Sequence, residues 1–213
     1  MQQYYATRAP YYDAVYDKPE RRADIAFLKQ HLPSRLAQRS VIEVACGTGY
    51  WTQFIAPAAT SYLAIDSTPE PLEFAKLRPQ TENVQFLLAD AYALPVQNLK
   101  FQAAFAGLWL SHVPIERRRE FFSSLHGNLT SSARVILIDN SEIQCQEWPI
   151  IEHDVHGNTY QRRQLRDGSI HRVLKNFPTH AELEAMVVGI GEQAQYRALE
   201  NFWLFEYVVA KDT

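Results

Sequence analysis

The stretch Val41-Ile42-Glu43-Val44-Ala45-Cys46-Gly47-Thr48-Gly49-Tyr50-Trp51-Thr52 constrains this chain more than any other. It begins as an apolar, β-branched run, which reads as a buried parallel strand. Cys46-Gly47-Thr48-Gly49 then breaks the run, and helix-compatible sequence resumes. Strand, glycine turn and helix in that order open a nucleotide-binding α/β domain. Glycine lacks Cβ, so such a turn can take backbone angles closed to other residues and lets a ligand approach the main chain. The helix behind it aims unpaired N–H groups and the positive end of its dipole at that ligand.

The details select among nucleotide-like ligands. A dinucleotide turn of the form G-x-G-x-x-G seats a pyrophosphate. Here Gly47-x-Gly49 is followed by Tyr50, Trp51 and Thr52, so the third glycine is missing, and an acid, Glu43, precedes the turn. The pattern E-x-A-C-G-T-G resembles the first motif of class I S-adenosylmethionine (SAM)-dependent methyltransferases. In that family the glycine turn passes under the methionine part of SAM, which implies contacts from Ala45, Gly47, Thr48, Gly49 and Trp51.

Further motifs follow in the family's order. Residues 61–66 read as a second strand closed by Asp66, 17 residues past Gly49. An acid at that place binds ribose hydroxyls in nucleotide-binding α/β domains, because a carboxylate accepts from both hydroxyls at once. Ser67 follows it at the helix start. A third strand, 84–88, ends in Ala89-Asp90-Ala91. That ending resembles the family's third motif, where Asp90 meets the adenine amine and the Ala91 N–H a ring nitrogen. A fourth strand, 103–110, runs into Leu108-Trp109-Leu110-Ser111-His112-Val113-Pro114. This is where the family's fourth motif faces the transferred methyl. The Asn/Asp-Pro-Pro-Tyr/Phe signature of enzymes that methylate adenine or glutamine amino groups is absent. His112 is the general-base candidate, since neutral imidazole near pH 7 takes a proton from a hydroxyl or ring nitrogen; lining the pocket is its alternative role. By the same resemblance Leu108 would contact the cofactor and Trp109 would face the acceptor.

The segment before the first strand carries five tyrosines: Tyr4, Tyr5, Tyr11, Tyr12 and Tyr16. It resembles the N-terminal cap of bacterial small-molecule methyltransferases. Tyr5 and Arg8 are then expected over the cofactor, and Tyr12 and Tyr16 near the acceptor, with Pro10 interrupting the helix. Residues 24–36 read as an amphipathic packing helix.

After a fifth strand, 133–140, Asp139-Asn140 is reminiscent of the metal pair of catechol-type O-methyltransferases. No acid stands at 111–112 to complete that set, so no metal is expected and Asp139 is read as binding acceptor or hydrogen-bonding His112. An insertion, 143–177, would roof the acceptor pocket, with Tyr160 as a contact. His153 and His156 lie in it without a third metal ligand placed by sequence. A hairpin over 160–177, a helix from 179 and two closing antiparallel strands near 195–200 and 202–209 complete the pattern.

The expectation is therefore an α/β, Rossmann-like single domain over 1–213: a seven-stranded, mostly parallel sheet with an antiparallel last strand and helices on both faces. Residues 1–36 would form the cap. The expected function is SAM-dependent methyl transfer to a small molecule, at oxygen or nitrogen, giving S-adenosylhomocysteine. Alternatives are a SAM-binding protein without turnover, an NAD-dependent oxidoreductase, a metal-assisted catechol-type enzyme and an RNA or protein methyltransferase. The net charge of −3 argues against a broad grip on nucleic acid or anionic membrane. The two cysteines, Cys46 and Cys145, offer no disulfide framework, which suits the cytoplasm. No signal peptide or membrane-spanning run is read, and oligomeric state is left as monomer or homodimer.

Overall fold

Apolar runs in which neither the odd nor the even residues turn polar require a sheet covered on both faces. The computed structural model, which describes residues 2–94 and 100–211, has that arrangement. In chain order the elements are α1 (Gln2–Arg8), α2 (Arg22–Leu36), β1 (Ser40–Val44), α3 (Thr52–Ile55), β2 (Ser61–Asp66), α4 (Pro69–Ala75), β3 (Val84–Leu88), β4 (Phe101–Gly107), α5 (Arg118–Gly127) and β5 (Leu129–Asn140). Then come β6 (Ile150–His153), β7 (Thr159–Gln164), β8 (Ile170–Leu174), α6 (His180–Val187), β9 (Gly191–Ala198) and β10 (Phe202–Val209).

The main sheet has the order β3-β2-β1-β4-β5-β10-β9. The first five strands pair in parallel, and β10 runs antiparallel to both β5 and β9. The expected seven-stranded sheet with an antiparallel last strand is what forms. Alternate residues feed two cores. Ile42, Val44, Ile65, Ala104 and Leu137 point to one side, where Phe121, Leu125 and Leu183 of α5 and α6 cover them. Val41, Tyr62, Ala103, Phe105 and Ile138 point to the other, under Leu28, Leu32 and Leu36 of α2. Those three leucines are fully buried, and such burial is worth about 1.5–3 kcal/mol for each side chain.

The insertion holds a second, three-stranded antiparallel sheet, β6-β7-β8. Its β7–β8 hairpin turns at Gly168, whose φ of +85° suits glycine. β6 was not expected from sequence. All four of its residues are exposed, so no buried alternation announces it. In the N-terminal segment α1 stops at Arg8, and Pro10 diverts the chain into a 3₁₀ turn over Ala9–Val15. Tyr4 of α1 packs with Leu165 and Val173 of the small sheet, so cap and insertion meet.

Candidate active site

Strand order reverses direction between β1 and β4, and open α/β sheets place their crevice at such a switch point, beyond the carboxyl ends of the strands. A cavity lies there. It is lined by Ala45, Gly47 and Thr48 after β1, Asp66, Ser67 and Thr68 after β2, Gly107, Leu108 and Trp109 after β4, and His112. The cap closes it with Gln2, Tyr5, Ala9 and Tyr12. Two non-glycine residues on this rim, Ala45 and Leu108, have left-handed φ of 55° and 57°. Such backbone costs energy and persists where the surroundings over-determine it, often at ligand clamps.

Asp66 is locked in place. Gly47 N–H donates to Oδ2 at 2.9 Å and Thr68 N–H to Oδ1 at 2.8 Å. A carboxylate has about four acceptor sites, so both oxygens keep capacity for further donors in the cavity. Gly47 (φ +56°) has no atom near its missing Cβ, which leaves the turn's backbone accessible, whereas a Cβ on Gly49 would meet Ala75 Cα at 3.0 Å. Gly49 therefore lets the turn pack on α4 and does not itself line the cavity. Glu43 lies behind the turn, where its Oε2 accepts from Thr52 Oγ1 at 2.5 Å and Tyr62 Oη at 3.0 Å. Burial pushes its carboxyl up to about 7 against those hydrogen bonds. The cap is latched to the turn: Thr48 Oγ1 donates to Asp13 Oδ1 at 2.6 Å, and Arg78 pairs with Asp13 while its Nε donates to the Thr48 carbonyl at 2.8 Å.

A second cavity adjoins the first and shares Tyr5, Tyr12, Leu108 and His112 with it. Its other walls include Tyr4, Arg8 and Arg21 from the N-terminal segment, Asn140 at the end of β5 and Gln144 beyond it, and Trp148, Arg163 and Lys175 from the insertion. His112 stands at the junction. Its Nδ1 lies 2.6 Å from the Leu174 carbonyl, which can only accept, so Nδ1 carries the proton. Nε2 is then the acceptor for Tyr5 Oη at 2.8 Å. Burial, reinforced by the Lys175 ammonium, lowers the His112 pKa to about 3, so the ring is neutral at physiological pH.

Beneath this junction lies a buried polar cluster. Lys175 Nζ donates to Asp139 Oδ1 at 2.7 Å, Ser111 Oγ at 2.7 Å and Asn140 Oδ1 at 3.0 Å. Ser111 N–H donates to Asp139 Oδ2 at 3.0 Å. Burial would raise the Asp139 carboxyl, but Lys175 holds it below its ordinary value; burial in turn lowers Lys175 to about 8.

The expected site residues divide accordingly. Tyr5, Ala45, Gly47, Thr48, Asp66, Ser67, Leu108, Trp109, Tyr12 and His112 gather around the first cavity. Arg8 lines the second cavity and not the first. Trp51 packs edge-on against Tyr16 and Phe105 in the core under α2 and reaches neither cavity. Tyr16 is likewise removed, stacked on Tyr50 with centroids 3.7 Å apart. Asp90 sits exposed just past β3, accepting the Tyr92 N–H at 2.9 Å, and Ala91 is buried in the core; among the described residues neither lines either of these two cavities. Asp139 lines neither of these two cavities and makes no hydrogen bond to His112; Lys175 engages it. Tyr160 lies on the outer sheet beneath the Arg172 guanidinium, 3.3 Å from its ring centroid, and lines neither of the two cavities.

Sequence reasoning assigned no role to Arg163 or Lys175. Both come from a polar stretch of the insertion, and only tertiary folding buries them. Among the described residues no group of three or more His, Cys, Asp or Glu side chains could hold a metal ion. No helix among them is long and apolar enough to cross a membrane.

Residues 41–132 match a family described as "Methyltransferase domain". Malonyl-[acyl-carrier protein] O-methyltransferase of Hamiltonella defensa subsp. Acyrthosiphon pisum (strain 5AT) is 23% identical over 145 residues, covering 64% of this chain and 53% of its own. Demethylmenaquinone methyltransferase of Lactococcus lactis subsp. lactis (strain IL1403) is 29% identical over 111 residues, covering 48% and 42%. The chain thus spans about half the length of the curated relatives it matches. Among solved structures, a DhpI complex with SAM and HEP superposes with a TM-score of 0.80 at 27% identity, covering 96% of this chain and 94% of that one.

Proposed function

We propose that the chain is a class I SAM-dependent methyltransferase and that it methylates a small-molecule acceptor bound beside His112; the match to a methyltransferase domain over residues 41–132 and the likeness to the DhpI complex support this reading. The observation that carries this reading is the pair of cavities meeting at Tyr5, Tyr12, Leu108 and His112. One cavity suits the cofactor and the other an acceptor, with a shared wall where transfer takes place.

The residues present fit the cofactor. Asp66 has acceptor capacity for ribose hydroxyls, and the accessible backbone at Gly47 and the strained Ala45 and Leu108 cradle the methionine end. SAM supplies an electrophilic methyl on a sulfonium. The protein's own contribution is orientation and exclusion of water. The Tyr5 and Tyr12 rings close the junction, and aromatic faces favour a cation near them. His112 Nε2 is an acceptor atom held at that junction. The acceptor's O–H or N–H would take the place of Tyr5 Oη on it, which would orient that group, and the proton released on methylation would pass through Nε2 to solvent. At a pKa of about 3 the ring holds a hydrogen bond better than a proton. We therefore read His112 as an orienting acceptor first. The latch of Asp13, Thr48 and Arg78 holds the cap shut over both cavities.

The acceptor is read as a small molecule and not a nucleic acid, in keeping with the net charge of −3 and the closed cap and insertion. The two free cysteines suit a reducing, cytoplasmic setting. The reading is tested by mass spectrometry of S-adenosylhomocysteine released during incubation with alcohols, carboxylic acids, amines and heterocycles. Acceptor-dependent release supports it. SAM binding without release for any acceptor would leave a non-catalytic SAM-binding protein.

A further inference from the structure

We propose that the acceptor is an anion whose oxyanion group seats between Arg8 and Arg163 in the second cavity. This rests on the methyltransferase reading above and names the chemistry of its acceptor. Arg163 is only 5% exposed, yet every bond it makes goes to a neutral oxygen. Its Nε and Nη2 donate to Gln161 Oε1 at 3.2 and 2.7 Å, with longer contacts of 3.5 Å to Tyr4 Oη and Gln144 Oε1. Buried charges are normally paired, because desolvating an unpaired one is costly. Arg8 Nη1 donates to the same Tyr4 hydroxyl at 2.8 Å, and its guanidinium lies 4.9 Å from the Tyr12 ring centroid. Two guanidinium groups thus share one neutral phenol, with no carboxylate ion-paired to either among the described residues.

An independent donor points the same way. Asn140 is 3% exposed and lines this cavity, and its Nδ2 has no hydrogen-bond partner. Its Oδ1 is already used by Lys175 and Gln144. The wider lining adds Lys18, Arg21, Arg166 and Lys175 against a single carboxylate, Glu147. Glu147 is engaged by Lys18, and Lys175 by Asp139, so neither neutralises Arg8 or Arg163. Guanidinium forks match carboxylate and phosphoryl oxygens in geometry as well as charge. A neutral acceptor would leave these buried donors unanswered, and sites of that kind reject ligands lacking the matching group. Because the same cavity reaches His112, an anion held at Arg163 brings the rest of the molecule to the methyl-transfer junction.

The test uses the whole protein saturated with S-adenosylhomocysteine, titrated calorimetrically with inorganic phosphate and, separately, acetate. Saturable binding of either is expected, phosphate alone assigning a phosphoryl group and acetate alone a carboxylate. Arg163→Met should weaken it about tenfold or more with S-adenosylhomocysteine affinity unchanged. Arg8→Gln, on the outer cap helix, should also weaken it and decides the matter if Arg163→Met fails to fold. Arg172→Gln, which breaks an exposed pair with Glu152, should leave binding unchanged. Absence of saturable oxyanion binding in a protein that binds S-adenosylhomocysteine overturns the proposal, as does full binding by folded Arg163→Met and Arg8→Gln. Failure of the wild-type protein to bind S-adenosylhomocysteine overturns the parent reading as well, which separates the two failures.

Discussion

Replacing Lys175 by methionine isolates a single buried charge. The Lys175 side chain is 1% exposed and that of its partner Asp139 is fully buried. Methionine keeps most of the lysine stem's volume, so the cavity contribution is small. What remains is the Asp139 carboxylate, accepting only the backbone N–H groups of Ser111 at 3.0 Å and Asn140 at 2.8 Å. Breaking a buried pair from one side costs about 3–5 kcal/mol. In a chain of this size each kcal/mol lowers Tm by about 2–4 °C, so a fall of roughly 10 °C is expected. Urea unfolding of wild type and Lys175→Met at pH 7 measures the loss. The sign with pH follows from the release of Asp139. Without Lys175, burial alone raises its folded-state pKa above the unfolded value, so the variant's penalty shrinks as pH falls through that raised pKa. Adding Asp139→Asn should recover part of the loss at pH 7. A loss under about 1 kcal/mol that is also flat with pH would refute the view that Lys175 is the counter-ion that keeps Asp139 charged.

Three further outcomes are expected. The Glu43 carboxyl is raised from 4.5 to about 7 in the fold, so its contribution to stability is present below pH 4.5 and is lost as pH rises through 7. Glu43→Gln should therefore gain on wild type by up to about 3 kcal/mol between pH 5 and 8 in urea unfolding; a difference constant with pH contradicts this. Gly49→Ala places a Cβ 3.0 Å from Ala75 Cα at a φ of +72°, which should lower stability by about 1–3 kcal/mol and weaken SAM binding; an unchanged melting temperature and affinity would remove Gly49 from the argument. With His112 lowered to about 3, kcat/KM should show no His112 inflection across pH 5–8, and an inflection in that range that Gln at 112 abolishes would show that the ring titrates as a base.

The sheet was legible because its signal is local. Strands such as Val41-Ile42 and Ala103-Ala104-Phe105-Ala106 are buried on both faces and announce themselves as apolar runs. Asp66 was legible for the same reason: it closes such a run, and its place beside the glycine turn follows from the parallel pairing of β1 with β2. What failed depended on contacts between distant parts of the chain. Asp139 reads as available for an acceptor until Lys175 is brought to it from the far end of the insertion. Trp51 and Tyr16 sit among motif residues, but the core under α2 claims their rings. Arg8 was expected over the cofactor; it lines the second cavity, where it meets Tyr4 and Tyr12. Arg163 lies on a strand of alternating exposure, and its inward direction depends on a register that a single polar stretch does not announce.

Cofactor binding in the first cavity underlies every role proposed for its lining residues. The most direct measurement is a calorimetric titration of wild type and Asp66→Ala with SAM, S-adenosylhomocysteine and NAD. The prediction is saturable binding of the first two and none of NAD, with the variant weakened about tenfold or more through loss of a charged hydrogen-bond acceptor. Binding of NAD alone, or an Asp66→Ala affinity equal to wild type, would contradict it.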